Sequence, residues 1–370
     1  MSKIKVLWIM TGGLRRNGIC VSQLAYAKLL NKSKFTLDVL AVHNNSSDMI
    51  DEYSKAGCNV VCMPDRRKHL FKYLTSLNKL IKKQNYDVIH VFGSSSLMYL
   101  ELKQAKKNNI PLRIAHSRNT TCDRLFLEKI MRGIFTRTYN MALACGADAG
   151  NWLFGENQYT ILHNGKDLKK YSFNPNIRTK IRSQYNIENK IAFGHVGNFN
   201  YQKNHEFLID VFKNIHDKNS DTILFLMGSG ELFKTIQEKV KDYNLDESVV
   251  FLGSIDNVDE VIQGMDIMLF PSRFEGLPNV VIEWQASGLP CVLSSNITSE
   301  CKVADNVYFC SIENGINEWY NCVKNIDINI ENRKKISKNN CKLLKQNNYD
   351  IYDNTKILEK FYIEGANNRK

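Results

Sequence analysis

The chain has 370 residues, of which 43% are hydrophobic and 24% charged, a composition typical of a globular protein long enough for two domains. Its formal net charge of +12 is unevenly spread: residues 1–170 hold 27 Lys and Arg against 12 Asp and Glu, whereas residues 171–370 hold 23 against 26. The ten cysteines form no paired C-x-x-C motif, which argues against a zinc or disulfide framework and for reduced thiols in a cytoplasmic protein.

The sequence pattern also argues against membrane-spanning and secreted proteins. No apolar run reaches the roughly 20 residues that a membrane-spanning helix needs. Lys3 and Lys5 lead directly into a predicted strand, so we expect no signal peptide. The basic first half indicates an anionic partner, either nucleic acid or an anionic membrane surface. Because the sequence contains no recognisable nucleic-acid-binding module, we expect no nucleic acid partner and favour an anionic membrane surface as the partner.

The first half of the chain alternates predicted strands with predicted helices. The strand candidates are Ile4 to Ile9, Thr36 to Val42, Asn59 to Met63, Asp87 to Val91, Arg113 to Ala115, Met141 to Cys145 and Tyr159 to Leu162. The helix candidates are Val21 to Leu30, Leu70 to Lys83, Ser96 to Lys107 and Leu125 to Thr138. This alternation predicts a parallel sheet with helices on both faces and a ligand crevice at the carboxyl ends of the strands.

Three places in this half lie where a strand ends. Gly12-Gly13 follows the first strand and would let a ligand approach bare backbone, but the G-x-G-x-x-G pattern of nicotinamide enzymes is absent. The polar loop Gly93 to Ser96 follows the fourth strand and either faces a ligand or caps the next helix. His116 ends the fifth strand, where an isolated histidine is usually structural.

A basic helix is predicted from Arg124 to Arg137. Its apolar residues at i, i+3, i+4 and i+7 share one face and are Leu127, Ile130, Met131 and Ile134. Lys129 and Arg132 lie away from that face. The helix either packs into the core through its apolar face or rests on anionic lipid at the protein surface.

The second half repeats the alternation, and its strands end in glycine loops. The strand–loop junctions are Ile191 to Asn198, Phe225 to Gly230 and Val249 to Ile255. Lys203 stands just before a helix from about His205 to Lys218, and we expect His195 and His205 to be structural. The segment from Tyr171 to Asn176 is predicted to be a loop. Later candidates are a strand at Val307 to Phe309 and helices at Asn317 to Asn325, Asn329 to Lys345 and Asp353 to Glu364.

The stretch from Pro271 to Pro290 follows an apolar strand and carries the strongest chemical signal. Pro278 suits the entry to a short helix, and Gly288 suits its end. Glu275 then lies in the loop and Glu283 roughly one turn, about 6 Å, inside the helix. The N–H groups at the helix start attract an anion, and carboxylates accept hydrogen bonds from vicinal hydroxyls. The pattern therefore suits a ligand whose sugars flank a phosphate.

The run Phe-Glu-Gly-Leu-Pro…Glu-x-x-Ala-x-Gly-x-Pro resembles the signature of retaining family 4 glycosyltransferases of the GT-B fold. The resemblance implies an α/β protein with two Rossmann-like domains that face each other across a cleft. His163 to Asp167 resembles the interdomain link of that family, and Asp353 to Glu364 its returning terminal helix. We therefore expect an acceptor-side domain of residues 1–170 plus 351–370 and a nucleotide-sugar-binding domain of residues 171–350.

The resemblance also assigns candidate roles to individual residues. It implies that Glu275 lies by the donor sugar, that Glu283 binds the ribose, that Lys203 grips the diphosphate and that His116 lies near the reacting sugar. The residues it gives for catalysis are Glu275, His116 and Lys203. The residues it gives for donor binding are Gly13, Asn198, Lys203, Gly230, Ser254, Ile255, Glu275, Gly276, Leu277, Pro278, Asn279 and Glu283. Weaker candidates for acceptor or membrane contact are Ser94, Arg118, Lys129 and Arg132.

The sequence departs from the family pattern at two positions. Asn198 stands where the family has an arginine that grips the diphosphate, and it brings hydrogen-bond donors but no charge. Arg118 stands where related enzymes often have a second histidine. The first departure bears on diphosphate affinity or on activity itself, and the second on the choice of donor or acceptor.

The activity implied by the resemblance is transfer of a sugar from a nucleotide sugar, with UDP as the expected carrier, and with retention at the anomeric carbon. We expect no cofactor and no metal, since the chain lacks an Asp-x-Asp pair of the metal-dependent type. Residues 195–209 and 285–291 resemble enzymes of bacterial capsule and exopolysaccharide assembly, whose acceptors are growing glycans on a lipid diphosphate. The expected location is the cytoplasm, peripheral on the inner face of the plasma membrane.

Two alternatives remain open at the level of sequence. The chain could be a non-catalytic GT-B partner that binds a nucleotide sugar or supports another transferase, and Asn198 is the best argument for it. It could be a sugar-nucleotide epimerase of similar architecture, although the residues around Glu275 and Glu283 argue against that. Hydrolysis of the donor by the purified chain would distinguish an enzyme from a non-catalytic partner.

Overall fold

The structure, a computed structural model, describes residues 3–120 and 125–367, apart from the side chains of residues 125–127 and 129. It divides into two compact units: Met1–Gly165 with Asp350–Lys370, and Lys166–Tyr349. Each unit is built on its own parallel sheet. The expectation of two Rossmann-like α/β domains is confirmed.

The first unit holds the strands predicted from the sequence, with ends that differ by one or two residues. Its strands are β1 (Ile4–Met10), β2 (Phe35–Ala41), β3 (Asn59–Cys62), β4 (Val88–Gly93), β5 (Leu112–Ser117), β6 (Met141–Ala144) and β7 (Thr160–Ile161). Its first helices are α1 (Gly18–Leu29), α2 (Ser47–Lys55), α3 (Leu70–Gln84), α4 (Tyr99–Lys107), α5 (Leu125–Phe135) and α6 (Ala147–Phe154). Within the described residues the strand order is β3-β2-β1-β4-β5-β6-β7.

The sheet of the first unit is apolar on both faces because helices cover both. One layer contains Trp8, Val39 and Phe92 of the sheet together with residues of α1 and α2. The other contains Ile9, Val91 and residues of α3, α4 and α6. Buried parallel strands of this kind are nearly continuous hydrophobic runs, and that is why they could be found from the sequence.

The second unit, whose residues are all described, has the same construction with six strands. Its elements begin with α7 (Leu168–Tyr171), α8 (Pro175–Gln184), β8 (Ile191–Val196), α9 (His205–His216), β9 (Thr222–Met227), α10 (Phe233–Asp242) and β10 (Val249–Gly253). They continue with α11 (Val258–Gly264), β11 (Ile267–Phe270), α12 (Asn279–Ala286), β12 (Cys291–Ser294), β13 (Val307–Cys310), α13 (Ile316–Lys324) and α14 (Ile330–Gln346). The strand order is β10-β9-β8-β11-β12-β13.

The last helix, α15 (Ile351–Asn367), belongs to the first unit. Its Tyr362 is fully buried, and the Tyr362 hydroxyl accepts a hydrogen bond from Trp8 Nε1 at 2.8 Å. The Tyr362 and Phe35 rings also meet edge to face, with centroids 6.0 Å apart. The predicted return of the terminal helix is therefore present.

The predicted loop from Tyr171 to Asn176 is wrong at both ends. Tyr171 ends α7, and α8 begins at Pro175. The Asn174 side chain accepts hydrogen bonds from the N–H groups of Asn176 and Ile177, and proline suits the first helical position. Among the described helices, none is long and apolar enough to cross a bilayer.

His195 and His205 lie in the core of the second unit, as expected of structural residues. Their rings meet edge to face with centroids 4.6 Å apart, and His205 stacks on Phe199 at 4.0 Å. His195 Nδ1 lies 2.8 Å from the Leu269 carbonyl oxygen, whereas both ring nitrogens of His205 are buried without a hydrogen-bond partner among the described residues. Burial lowers the pKa of His195 to about 3 and that of His205 to about 2.

These buried histidines predict a loss of stability in acid. The unfolded chain takes up a proton on His205 near pH 6.5, whereas the folded chain keeps the ring neutral down to about pH 2. Stability therefore falls as the pH drops below 6.5. We expect His205→Phe to raise the free energy of unfolding relative to wild type by about 2 kcal/mol more at pH 5 than at pH 8, as measured by urea denaturation.

His69→Phe is the control for this experiment, because His69 is exposed. It should leave the pH dependence of unfolding unchanged. An identical pH dependence in wild type and His205→Phe would show that His205 is not held neutral by burial.

Candidate functional site

The loops that follow β8, β9 and β10 pack side by side at the carboxyl edge of the second sheet. Gly197 N–H donates to the Met227 carbonyl at 2.9 Å, and Gly228 N–H to the Gly253 carbonyl at 2.8 Å. The Ser254 hydroxyl lies 2.9 Å from that of Ser229, the residue before Gly230. We call these loops, together with the loop that follows β11, the loop cluster (residues 197–204, 228–232, 253–255 and 271–278).

Gly230 is required by the close packing of this cluster. A Cβ at this position would lie 2.4 Å from the Phe199 carbonyl oxygen. Phe199 N–H in turn donates to the Ser229 carbonyl at 3.0 Å. Any side chain at Gly230 would therefore separate the first two loops.

Lys203 and Glu275 meet in the loop cluster. Lys203 Nζ lies 2.6 Å from Glu275 Oε1 and 4.4 Å from the centroid of the Phe270 ring. The side chains are only 17% and 11% exposed, so two opposite charges are held together largely away from water. Glu275 occupies one of the three N–H donors of the ammonium. The structure thus brings together two residues that lie 72 positions apart in the sequence.

The two loops that carry this pair are joined by hydrogen bonds. Arg273 N–H donates to the Gln202 carbonyl at 2.8 Å, and Gln202 Nε2 donates to the Phe274 carbonyl at 3.0 Å. Asn204 adopts a left-handed conformation, with φ +56°, and its Nδ2 donates to the Pro271 carbonyl at 3.2 Å. Asparagine tolerates this conformation better than most residues. The connection holds Lys203 at a fixed distance from Glu275.

Glu283 lies in α12 and is paired with a lysine that the sequence analysis did not assign. Lys166 Nζ donates to Glu283 Oε1 at 2.6 Å, with side chains that are 12% and 10% exposed. Burial, and then the Glu283 carboxylate, raises the pKa of Tyr171, so this phenol remains a hydrogen-bond donor. Glu283 is therefore held in place by two neighbours within the second unit.

The start of α12 is arranged as the sequence predicted. The helix begins at Asn279, directly after Pro278, whose backbone is extended with φ −73° and ψ 108°. Pro278 makes no side-chain hydrogen bond to the helix start. The aligned peptide dipoles give a helix start about half a positive charge. Leu277 and Ile255 pack on the apolar core beneath the cluster, and Gly276 is half-buried.

Asn198 lies two residues after the end of β8 and is exposed. Its backbone carbonyl accepts a hydrogen bond from Asn200 N–H at 2.9 Å. The residue is thus in the first loop of the cluster, where the sequence analysis placed it. Among the described residues, no group of three or more His, Cys, Asp and Glu side chains is arranged to hold a metal ion.

In the first unit, Gly13 has a structural reason to be glycine. Its φ is +81°, and a Cβ would lie 1.7 Å from the His43 carbonyl oxygen. The Gly13 N–H donates to the Met10 carbonyl at 3.0 Å, which closes a tight turn after β1. The glycine is required by this turn and by the neighbouring backbone, whatever ligand approaches the loop.

His116 is buried at the end of β5 and lies next to Arg118. Arg118 Nη1 is 3.3 Å from His116 Nε2, and Arg118 Nη2 donates to Asn164 Oδ1. Burial, and then the Arg118 cation, holds the pKa of His116 well below its usual value, so the ring is neutral. Arg118 is itself only 8% exposed. The structure brings together these two sequence-predicted residues.

The loop that contains Ser94 caps a helix and is tied to α5. The Ser95 hydroxyl accepts a hydrogen bond from Leu97 N–H at 3.2 Å. Glu128 Oε2 accepts from Ser96 N–H at 2.7 Å and from the Ser95 hydroxyl at 2.8 Å. The Ser94 carbonyl accepts from Trp152 Nε1. Ser95 therefore caps the 3₁₀ turn of Ser96–Met98 that leads into α4, and the ligand-facing interpretation of the loop stays a prediction.

Two residues of the predicted apolar face of α5, Ile130 and Ile134, are exposed to solvent, and a third, Met131, is half-buried. Ile130 is 60% exposed and Ile134 is 41% exposed, whereas Glu128 and Phe135 are buried. The alternative in which the apolar face packs into the core is therefore wrong for these two residues, because Glu128 occupies the inward side. Arg132 donates to the Trp152 carbonyl at 2.6 Å. The side chains of Leu127 and Lys129, and residue Arg124, lie outside the described residues.

Comparison with known proteins identifies the family. The model for glycosyl transferases group 1 matches residues 177–343, and the model for glycosyl transferase 4-like domains matches residues 16–145. The two matches fall on the two α/β units and span most of the chain.

Three relatives are similar over most of their length. The putative glycosyltransferase EpsF of Bacillus subtilis is 28% identical, over 81% of each chain. The capsular polysaccharide biosynthesis glycosyltransferase CapH of Staphylococcus aureus is 26% identical, over 97% of this chain and 99% of CapH. The UDP-Gal:alpha-D-GlcNAc-diphosphoundecaprenol alpha-1,3-galactosyltransferase of Escherichia coli is 24% identical, over 100% of this chain and 99% of that enzyme.

Solved structures share the fold. The crystal structure of Anabaena HepE in complex with UDP has a TM-score of 0.81 and 14% identity, and the alignment covers 98% of this chain and 100% of HepE. At this identity the similarity shows the fold alone. The family matches show a glycosyltransferase, the shared fold is GT-B, and the motif around Glu275 and Glu283 fits the family 4 type.

Proposed function

We propose that this glycosyltransferase moves a sugar from a UDP-sugar to a growing glycan on a lipid diphosphate, in the synthesis of a bacterial capsule or exopolysaccharide. The observation that carries the proposal is the Lys203–Glu275 pair in the loop cluster, close in sequence to the start of α12. The named activities of the E. coli and S. aureus relatives support the acceptor and the pathway class. The HepE complexes with UDP and with UDP-glucose support the donor.

Lys203 would stabilise the leaving diphosphate. As the bond between sugar and phosphate breaks, negative charge grows on the phosphate oxygens, and fixed positive groups lower the barrier. Glu275 holds the Lys203 ammonium at 2.6 Å and leaves N–H donors that can turn to a phosphate. The start of α12 adds its positive dipole end. These groups would act without a metal or other cofactor.

Glu275 and Glu283 would hold the two sugars of the donor. Each carboxylate has one oxygen on a lysine, which compensates its charge, and a second oxygen that can accept hydrogen bonds from hydroxyls. Glu275 would contact the transferred sugar and Glu283 the ribose. Ser254 and Ile255 would lie by the base, and Gly230 would let the loop approach the donor.

Retention of the anomeric configuration would follow from departure and attack on the same face of the sugar. A carboxylate that already pairs with a lysine is a hydrogen-bond acceptor and a weak nucleophile. Glu275 is held in this way by Lys203, which favours a positioning role over a covalent one. His116 in the first unit would contact the donor sugar or the acceptor, and Asn198 would contribute neutral donors to the diphosphate.

The lipid-linked acceptor requires contact with a membrane surface, and the first unit has features that suit one. Residues 1–170 carry the positive charge excess of the chain. Ile130 and Ile134 of α5 are exposed, and Phe71 at the start of α3 is 88% exposed beside the exposed Lys72. Exposed apolar side chains next to basic residues suit insertion into an anionic lipid interface.

The alternative of a non-catalytic partner rests on Asn198, the neutral residue in the first loop of the cluster. The Lys203–Glu275 pair and the buried Lys166–Glu283 pair weigh against a chain that only supports another transferase, because a chain that does not bind the donor has no need to hold these charges away from water. The relatives named above as transferases also favour an enzyme.

Substitution of the charge pair tests the proposed chemistry. We expect Lys203→Ala and Glu275→Ala each to lower turnover on the order of 10²-fold or more, because the diphosphate loses its cation or the sugar loses its acceptor. Turnover would be measured as UDP release from UDP-sugars in the presence of a lipid-diphosphate glycan acceptor.

Lys239→Ala is the matched control, since Lys239 Nζ pairs with Asp210 at 2.6 Å on the surface of the same unit. It should retain near wild-type turnover. If Lys203→Ala retained it as well, the assignment of Lys203 to the leaving group would be wrong.

Membrane contact is tested by cosedimentation with vesicles that contain about 30% anionic lipid. We expect Ile130→Asp combined with Ile134→Asp to weaken binding on the order of tenfold or more, since two apolar side chains no longer enter the interface. Binding of the wild type should also fall as salt is raised.

The control combines Ile330→Asp with Ile336→Asp in α14, where the two isoleucines are 40% and 37% exposed. This variant of the second unit should bind as the wild type does. Wild-type binding that ignores both anionic lipid and salt would contradict the proposed contact.

A further inference from the structure

A cavity of about 180 Å³ opens at the amino edge of the second sheet, the edge opposite the loop cluster. Its lining includes Ile191, Thr222 and Ile267, which lie where β8, β9 and β11 begin. The six residues of β8, at about 3.3 Å each, put roughly 20 Å between this edge and the loop cluster. The cavity is therefore separate from the site proposed for the donor.

The inner wall of the cavity is apolar. Ile191 and Phe193 lie two positions apart in β8, so their side chains share one face of the strand. Ile215 of α9 and Val323 of α13 also line the cavity. Phe193, Ile215 and Val323 are buried members of a single apolar cluster, and Ile191 packs against it. A ligand in the cavity would therefore meet hydrocarbon at its inner end.

The Thr222 hydroxyl on this wall already has two partners. It donates to the Asn219 carbonyl at 2.9 Å and lies 2.9 Å from His216 Nδ1. A buried water needs roughly two to four polar partners, and an apolar wall offers few. An apolar cavity of about 150 Å³ holds a benzene ring, so at the same density about 180 Å³ holds roughly seven carbon atoms.

Two lysines lie at the mouth of the cavity. Lys324 is the last residue of α13, and Lys218 lies two positions after the end of α9. Both line the cavity and both are exposed to solvent. Lys218 Nζ lies 4.4 Å from the centroid of the ring of Tyr320, which is also part of the lining. The open end of the cavity is thus polar and basic, in contrast to its inner wall.

The charges at the mouth favour an anion. A helix end carries about half a negative charge, so the ends of α9 and α13 together bring about one. Lys218 and Lys324 bring two positive charges, and among the described residues that line the cavity none is acidic. Asp217, which precedes Lys218, pairs with Lys213 instead. The mouth therefore keeps a positive charge of about one.

We propose that this cavity binds a medium-chain carboxylate, with the hydrocarbon chain inside and the carboxylate between Lys218 and Lys324. Burial of the chain supplies most of the affinity, because the wall is apolar. The two lysines select the charge of the head group. This site is independent of the proposed sugar transfer, since it lies at the other edge of the sheet.

Isoleucine methyl groups report on the cavity directly. The isoleucines that line it are Ile191, Ile215, Ile267, Ile326 and Ile328. The full chain would be labelled with ¹³C at the isoleucine δ1 methyl groups, assigned by single Ile→Val substitutions, and titrated with octanoate far below the concentration at which it forms micelles. We expect saturable shifts of the cavity signals, whereas Ile9 and Ile89 in the core of the first unit should not shift.

The charge of the head group is tested with octylamine, which has a chain of the same length and a positive head. We expect octylamine to bind about tenfold more weakly than octanoate, because the lysines repel it. Lys218→Glu combined with Lys324→Glu should reverse this order, and both positions are exposed, so the fold should be kept.

Lys338→Glu is the matched control, because Lys338 is an exposed residue of α14 that does not line the cavity. This variant should bind octanoate as the wild type does. Octanoate that leaves the cavity isoleucines of the wild type unshifted would overturn the proposal. Equal binding of octanoate and octylamine by the wild type would overturn it as well, and so would a folded double variant that binds octanoate as tightly as the wild type. None of these results depends on sugar transfer, so a failure of the proposed function would be seen separately.

Discussion

The ion pair between Lys203 and Glu275 is the interaction on which the account of the second unit depends. Two largely buried charges must compensate each other, since either one alone would cost several kcal/mol. That requirement forces the loop after β8 to meet the loop after β11. Asn204, in its left-handed conformation, joins the two loops through the hydrogen bond from its side chain to the Pro271 carbonyl. The pair then presents a cation with spare donors at the edge of the sheet where α/β proteins bind ligands.

In the first unit, polar side chains are brought together by the order of the strands in the sheet. His90 lies in β4 and His116 in β5, two adjacent central strands, and their side chains meet across the sheet. The terminal helix adds Tyr362, so a residue from the end of the sequence packs in the core of the first unit. Each unit therefore combines an apolar sheet with a small network of polar side chains that are joined by hydrogen bonds or ion pairs.

Much of the fold followed from the sequence because buried parallel strands are short apolar runs bounded by turn residues. The short helices α2, α6, α7, α8, α10 and α11 were missed, since few residues and mixed polarity leave little periodic signal. The orientation of α5 could not be predicted either. Its apolar stripe fitted either a core face or a surface face, and the hydrogen bonds from the backbone N–H and hydroxyl groups of the loop before α4 turn Glu128 inward.

The candidate site was predictable where a local motif carried it and not where distant residues meet. Glu275, Glu283 and Lys203 lie in motifs with characteristic glycines and prolines. Lys166 lies in the predicted interdomain link, but the sequence assigns it no role, because its contact with Glu283 spans 117 positions. His90 and Tyr362 are 272 positions apart, and neither has a local signal of their contact. Such pairs are set by the sheet order and the return of the terminal helix.

The central claim is that a nucleoside diphosphate binds at the start of α12 beside Lys203. A crystal structure of the chain grown with UDP tests it most directly. We expect the diphosphate within hydrogen-bond distance of Lys203 Nζ and of the N–H groups at the start of α12, with the ribose hydroxyls on Glu283. UDP bound elsewhere, or a diphosphate that contacts neither Lys203 nor α12, would contradict it.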